Sequence, residues 1–222
     1  TPLTARIGVT GWLEARIGSD GVVTATNGDK RQTGIGNTQV GAKLRLVGNS
    51  AGIPVVSILP NITLPTADQQ KGLGTGDLDY TVALLTGRDI GSRWHIDINY
   101  GVGSIGSGAQ DERRRFAQQL LSASTSLAAS TNWSPYLEVF WFSRKDIDGA
   151  AVATIDSGAI CTLGTRMAID GGVQISRSGG AHEIALFGGL SVAVGRVGRR
   201  GAHMVQGRPE TRTPRGTGPS SR

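Results

Sequence analysis

The chain has 222 residues, 34 of them glycine, and only 18% are charged; with its many Ser and Thr residues, this composition fits strands and turns better than helices. The formal charge is +6, but from Gly198 onward six arginines (Arg199, Arg200, Arg208, Arg212, Arg215, Arg222) face Glu210 alone, so that segment carries +5 and the remaining chain only +1. The charge therefore marks a solvated Arg/Gly/Pro-rich tail over 198–222 and gives no reason to expect a nucleic-acid partner.

No run of eighteen apolar residues occurs, which excludes a helical membrane span and leaves open a barrel, whose hydrophobicity sits on alternate positions. The single cysteine, Cys161, can form neither an internal disulfide nor a zinc cluster and reads as a small apolar wall residue.

In chain order, period-two alternation predicts eleven strands, at about 3–10, 12–18, 36–47, 53–64, 76–87, 93–103, 115–128, 134–143, 152–163, 165–177 and 182–194. The sixth shows the pattern most cleanly: Trp94, Ile96, Ile98, Tyr100 and Val102 share one face, and His95, Asp97, Asn99 and Gly101 the other. The tenth sets Met167, Ile169, Val173 and Ile175 against Arg166, Asp170, Gln174 and Ser176. The last sets Ile184, Leu186, Leu190, Val192 and Val194 against Glu183, Gly189 and Ser191, with Phe187 as the exception. The strand at 115–128 is the weakest, since Gln119 falls on its nominally apolar face.

The connections alternate in length. Short turns are expected near Thr10-Gly11, Gly48-Asn49-Ser50, Asp89-Ile90-Gly91, Ser130-Thr131-Asn132 and Gly164, and longer links at 19–35, 65–75, 104–114 and 144–151, with a shorter one at 178–181. Short periplasmic turns and longer outer loops are the pattern of an outer-membrane barrel. On that reading the first strand descends from outside. One ascending strand and a signal peptide are then expected upstream, giving twelve strands in all and a barrel domain over 1–197. Trp12, Trp94 and Trp133 lie beside short turns, while Tyr80, Tyr100 and Trp141 lie toward the other strand ends, as two interfacial girdles would require.

Leu59-Pro60, Leu64-Pro65-Thr66 and Gly74-Thr75-Gly76-Asp77-Leu78-Asp79 form a set of motifs, joined by Ile7-Gly8-Val9-Thr10, Trp12-Leu13-Glu14-Ala15-Arg16 and Val40-Gly41-Ala42-Lys43-Leu44-Arg45. The set resembles the MetA-pathway phenol-degradation family of outer-membrane β-barrel transporters, over most of residues 3–196. Ala67 stands where the family pattern leads one to expect glycine, and Val194-Gly195-Arg196 runs into the arginine-rich tail where a barrel usually ends on an aromatic residue. The resemblance implies a twelve-stranded transmembrane antiparallel up-and-down β-barrel importing small hydrophobic or aromatic compounds. Its partners would be outer-membrane lipid, a small-molecule solute and the barrel-assembly machinery.

Twelve strands would enclose a narrow or partly plugged lumen. Strand parity turns Arg6, Glu14, Arg16, Lys43 and Arg45 inward from early strands, and Asp79, His95, Asp97, Glu138, Asp156, Arg166 and Asp170 inward from later ones. Opposite charges would then face each other across the lumen, either orienting a solute or bracing the wall. Glu14 and Arg16, on one face of one strand, could also pair locally.

Enzyme chemistry finds little footing. His95 and Asp97 share a face, but no one serine stands out to complete a triad. His95, His182, His203 and Cys161 lack metal-ligand spacing, and Gly72-Leu73-Gly74-Thr75-Gly76 lacks the lysine of a phosphate loop. A protein without cofactor or metal, and not an enzyme, is therefore expected in the outer membrane of a Gram-negative cell. The alternatives are a soluble ligand-binding barrel, whose apolar face would turn inward, and a membrane-embedded hydrolase dependent on His95.

Overall fold

A computed structural model describes residues 2–27, 30–48, 53–108 and 114–195. The predicted tail at 198–222, positions 49–50 of one turn and 109–113 of one link lie outside the described residues. Among the described residues thirteen strands form, all antiparallel to their neighbours: β1 (Leu3–Gly8), β2 (Leu13–Ser19), β3 (Val22–Asn27), β4 (Lys30–Ile35), β5 (Thr38–Val47), β6 (Val55–Leu64), β7 (Asp79–Ile90), β8 (Trp94–Gly106), β9 (Arg115–Leu127), β10 (Trp133–Phe142), β11 (Val152–Leu163), β12 (Met167–Ser178) and β13 (Ala181–Val192). Eleven of them make one up-and-down sheet, in the order β1-β2-β5-β6-β7-β8-β9-β10-β11-β12-β13. These are the eleven predicted strands, Gln119 included. One register shift, between Arg45 and Val47, interrupts the β5–β6 ladder.

The sheet alternates between two environments. Along β8, Trp94, Ile96, Ile98, Tyr100 and Val102 are exposed, while His95, Asp97 and Asn99 are half-buried and Gly101 is buried. Along β9 and β10 the contrast is sharper: Ser122, Ser124, Ser126 and Glu138 are buried, whereas Leu121, Leu137 and Val139 are exposed. A flat sheet would expose both faces alike, so this sheet is rolled, with its polar face inside. Lys43 on β5 lies within Coulombic range of Asp97 on β8, three strands away, as inward curvature requires.

β1 and β13 each pair with one neighbour only among the described residues. Since the main sheet has an odd number of strands in strict alternation, its two edges run in the same direction. The tight turns at one end of the sheet use left-handed glycines, for instance Gly91 (φ 61°) and Gly164 (φ 69°), positions that a side chain would strain.

The other end is more elaborate. The link predicted at 19–35 is not a plain loop: β3 and β4 form a two-stranded hairpin of their own. The connection after β6 folds against the base of that hairpin. Leu73, 1% exposed, inserts there so closely that a Cβ on Gly34 would meet its Cδ1 at 2.6 Å. Asn37 Oδ1 accepts the Ala67 amide at 3.1 Å, and Thr66 Oγ1 reaches the Gly36 carbonyl and Thr38 Oγ1 at 3.3 and 3.0 Å. On the outer surface of this connection Asp68 accepts the Lys71 amide and pairs with its ammonium, both at 3.2 Å, and the Lys71 contact lowers its carboxyl below the ordinary range.

Candidate functional site

The rolled polar face is built in bands that follow the strand register. On the wall formed by β1, β2 and β5, Glu14 accepts from two arginines: Arg6 through both carboxylate oxygens at 3.0 and 3.1 Å, and Arg16 at 2.7 Å. Arg6 stands opposite Arg16, and Glu14 opposite Lys43, so strand pairing sets these charges side by side. An Arg45 guanidinium nitrogen donates to the Gly11 carbonyl in the β1–β2 turn. This wall is predominantly cationic.

The facing wall is acidic. One register row runs Gly87, Asp97, Ser124, Glu138, Asp156, Gln174 across β7 to β12. Glu138 and Asp156 are buried. Gln174 Nε2 donates to Asp156 Oδ2, and Ser124 Oγ to Asp97 Oδ2, each at 3.4 Å. One row nearer the tight turns, His95 is held between two carboxylates, Nδ1 at 2.6 Å from Asp89 and Nε2 at 3.0 Å from Asp97. Gly87 leaves the room for this arrangement, since a Cβ there would meet Asp97 Oδ1 at 2.7 Å. The side chains thus lie along the wall.

Toward the long connections the inner face changes character. Phe140, Phe142 and Val152 are 4%, 3% and 2% exposed and pack with Leu120 as an apolar cluster. The two rings meet edge to face with centroids 5.6 Å apart. Phe116 is buried further along β9. The interior therefore passes from an acidic, serine-lined band to an aromatic one.

The remaining predicted positions divide. Asp79 faces inward at the long-link end, where its Oδ1 accepts the Gly106 amide at 2.8 Å. Asp170 lies over Gly189, whose Cβ would meet its carboxylate at 2.5 Å. Arg166 is not on a strand: it sits exposed in the turn 164–166, because β12 begins at Met167 and not at 165. Asp89 is expected in the turn after a strand ending at 87, outside the inner face, but β7 extends to Ile90 and carries it. Phe140 and Phe142 were missed because Val139-Phe140-Trp141-Phe142 is apolar on both faces and shows no alternation. Parity from Trp141 was the only available signal.

The motif residues of the β6–β7 connection have a structural task. Asp77 Oδ2 accepts the Gly108 amide at 2.9 Å, beside the Asp79 contact to Gly106, so two aspartates tie this connection to the end of β8. A Cβ on Gly74 would meet Ala67 Cβ at 2.8 Å, which explains the need for small residues at both positions.

These features define a class: an antiparallel up-and-down β protein, polar within and apolar without. The chain belongs to the family described as "Putative MetA-pathway of phenol degradation", whose model matches residues 3–193, the whole run from β1 to β13. Comparison with curated proteins finds no match.

Proposed function

We propose that this chain forms the wall of an outer-membrane passage for small solutes in a Gram-negative cell, with compounds carrying an aromatic or apolar body as the favoured class. The observation that carries the reading is the direction of its polarity. Ile98, Leu121, Leu137, Val139, Ile155 and Ile175 are exposed on the outside, while Ser122, Ser124, Glu138, Thr154 and Asp156 are buried inside. In water that order would be reversed, whereas a hydrocarbon surround requires it. From Trp94 to Val102 the outward face of β8 is apolar over nine residues; at about 3.3 Å for each step between them and a tilt of about 40°, this is an apolar band about 20 Å tall.

The family description and the Phe140–Phe142 cluster together support an aromatic solute, and the opposed charged walls supply a field in which a polar substituent would orient. An enzyme reading fits the geometry poorly. Both ring nitrogens of His95 are engaged by carboxylates, and the nearby Ser124 donates to Asp97 and not to the imidazole.

The test is uptake into liposomes containing the refolded protein, comparing a small phenolic compound with a sugar. Arg45→Ala and Asp97→Ala are expected to change passage of the charged or polar solute several-fold, and Phe140→Ser to reduce preference for the phenolic one. Passage identical to the parent in all three would overturn the assignment of this interior as the solute path.

A further inference from the structure

The outward face carries a feature that a solute path does not use. On β9 the outward side chains shrink from Leu121 to Ala123 and Thr125, while the neighbouring strands keep Ile96 and Ile98 on one side and Leu137 and Val139 on the other. Register sets Ile96 opposite Thr125 opposite Leu137, and Ile98 opposite Ala123 opposite Val139. A trough of about 260 Å³ results, running along β9 between aliphatic walls. Thr125 supplies its only outward hydroxyl.

The same register row continues to Arg88, which pairs with Ile96 and is exposed on the outward face of β7. One row nearer the tight turns, Ile90 pairs with Trp94, whose indole is also exposed. Arg88 makes no ion pair with any described residue. At the other end of the same surface the outward Arg115 is satisfied within the protein, by Ser104 Oγ at 2.9 Å and by the Tyr80 ring at 5.4 Å. Arg88 is therefore a cation at the margin of an apolar band, beside an interfacial tryptophan and a trough that leads away from the margin. A guanidinium so placed is costly in hydrocarbon unless an anion meets it, and its planar fork matches phosphate oxygens.

We propose that the trough and Arg88 form a site for one phospholipid of the leaflet at the tight-turn end. One acyl chain lies along Ala123 and Thr125, and the phosphate sits against Arg88, with Trp94 beside the headgroup. The site rests on the membrane reading above.

The experiment uses the full chain refolded into phosphatidylcholine vesicles with a minor share of phosphatidylglycerol bearing a photoactivatable group in one acyl chain. After irradiation, labelled peptides are mapped. Labelling is expected to concentrate on β8, β9 and β10. Ala123→Leu, which fills the trough, should remove that concentration; Arg88→Gln, which deletes the charge, should lower it about fivefold, the equivalent of one charge-assisted contact; and Arg88→Lys should retain most of it. Vesicle flotation separates the failures. Protein that floats with the vesicles but labels evenly around its band, or is labelled alike in the parent and the Gln variant, overturns the site alone. Protein that does not float overturns the membrane reading and the site with it.

Discussion

Glu14 is the carboxylate on which Arg6 and Arg16 converge, and Lys43 stands opposite it on β5. Removing its charge would leave three cations on adjacent strands with nothing between them. Each of its ion pairs is only about one quarter exposed or less at the side chains involved, so solvent screening weakens them less than it would at an open surface. Glu14→Gln is expected to destabilise the sheet by about 1–2 kcal/mol, read as a lowered urea midpoint. Since β1 pairs with β2 alone, amide exchange should accelerate first in 3–8, and an even acceleration across all strands would contradict the local role. Strand parity made these inward charges legible, because one residue's facing fixes the rest of its strand. It could not supply their partners, which depend on register between strands far apart in sequence. That is how Asp89, at a strand end drawn too short, escaped notice although it holds His95.

At the scale of elements, the hairpin β3–β4 and the connection after β6 form one unit through Leu73, Asn37 and Thr66. Leu73 is the largest fully buried side chain of the described residues, yet it belongs to a connection and not to the sheet. Leu73→Ala should detach this connection, at a local cost of about 2–4 kcal/mol typical of a buried leucine. Limited proteolysis is expected to cut within 65–78 much faster than in the parent, while the eleven-stranded sheet keeps its melting behaviour. Loss of the whole fold would show instead that the connection helps to hold the sheet. The motif Gly74 to Asp79 was visible in the sequence and acquires its physical content here, since Asp77 and Asp79 cap amides at the end of β8. The hairpin was not foreseen, although Asn27-Gly28 carries a turn signal. Its flanks, Val22–Asn27 and Lys30–Ile35, alternate weakly and hold many polar residues, so hydrophobic period gave no reason to separate them from a loop.

For the whole molecule, the question that alternation leaves open is which face meets solvent, and it is decided by exposure. Ile98 and Asn99 are sequence neighbours on opposite faces of β8: Ile98 is 54% exposed, while Asn99 Nδ2 donates to Ser122 Oγ at 3.1 Å inside. If the outer face lies in lipid, Ile98→Arg places a charge near the middle of the apolar band and should cost about 2–4 kcal/mol in vesicles. Asn99→Asp puts its charge on the polar interior, beside Ser122 and one row from Asp97, where added repulsion should cost about 1 kcal/mol or less. Urea titration of both variants refolded in the same vesicles checks the order. The same facing surrounded by water gives the opposite ranking, because an exposed Ile98→Arg would then be nearly neutral. The comparison uses adjacent residues with the same backbone environment, so strand propensity and register cannot account for a difference in its sign, and only the medium against each face can.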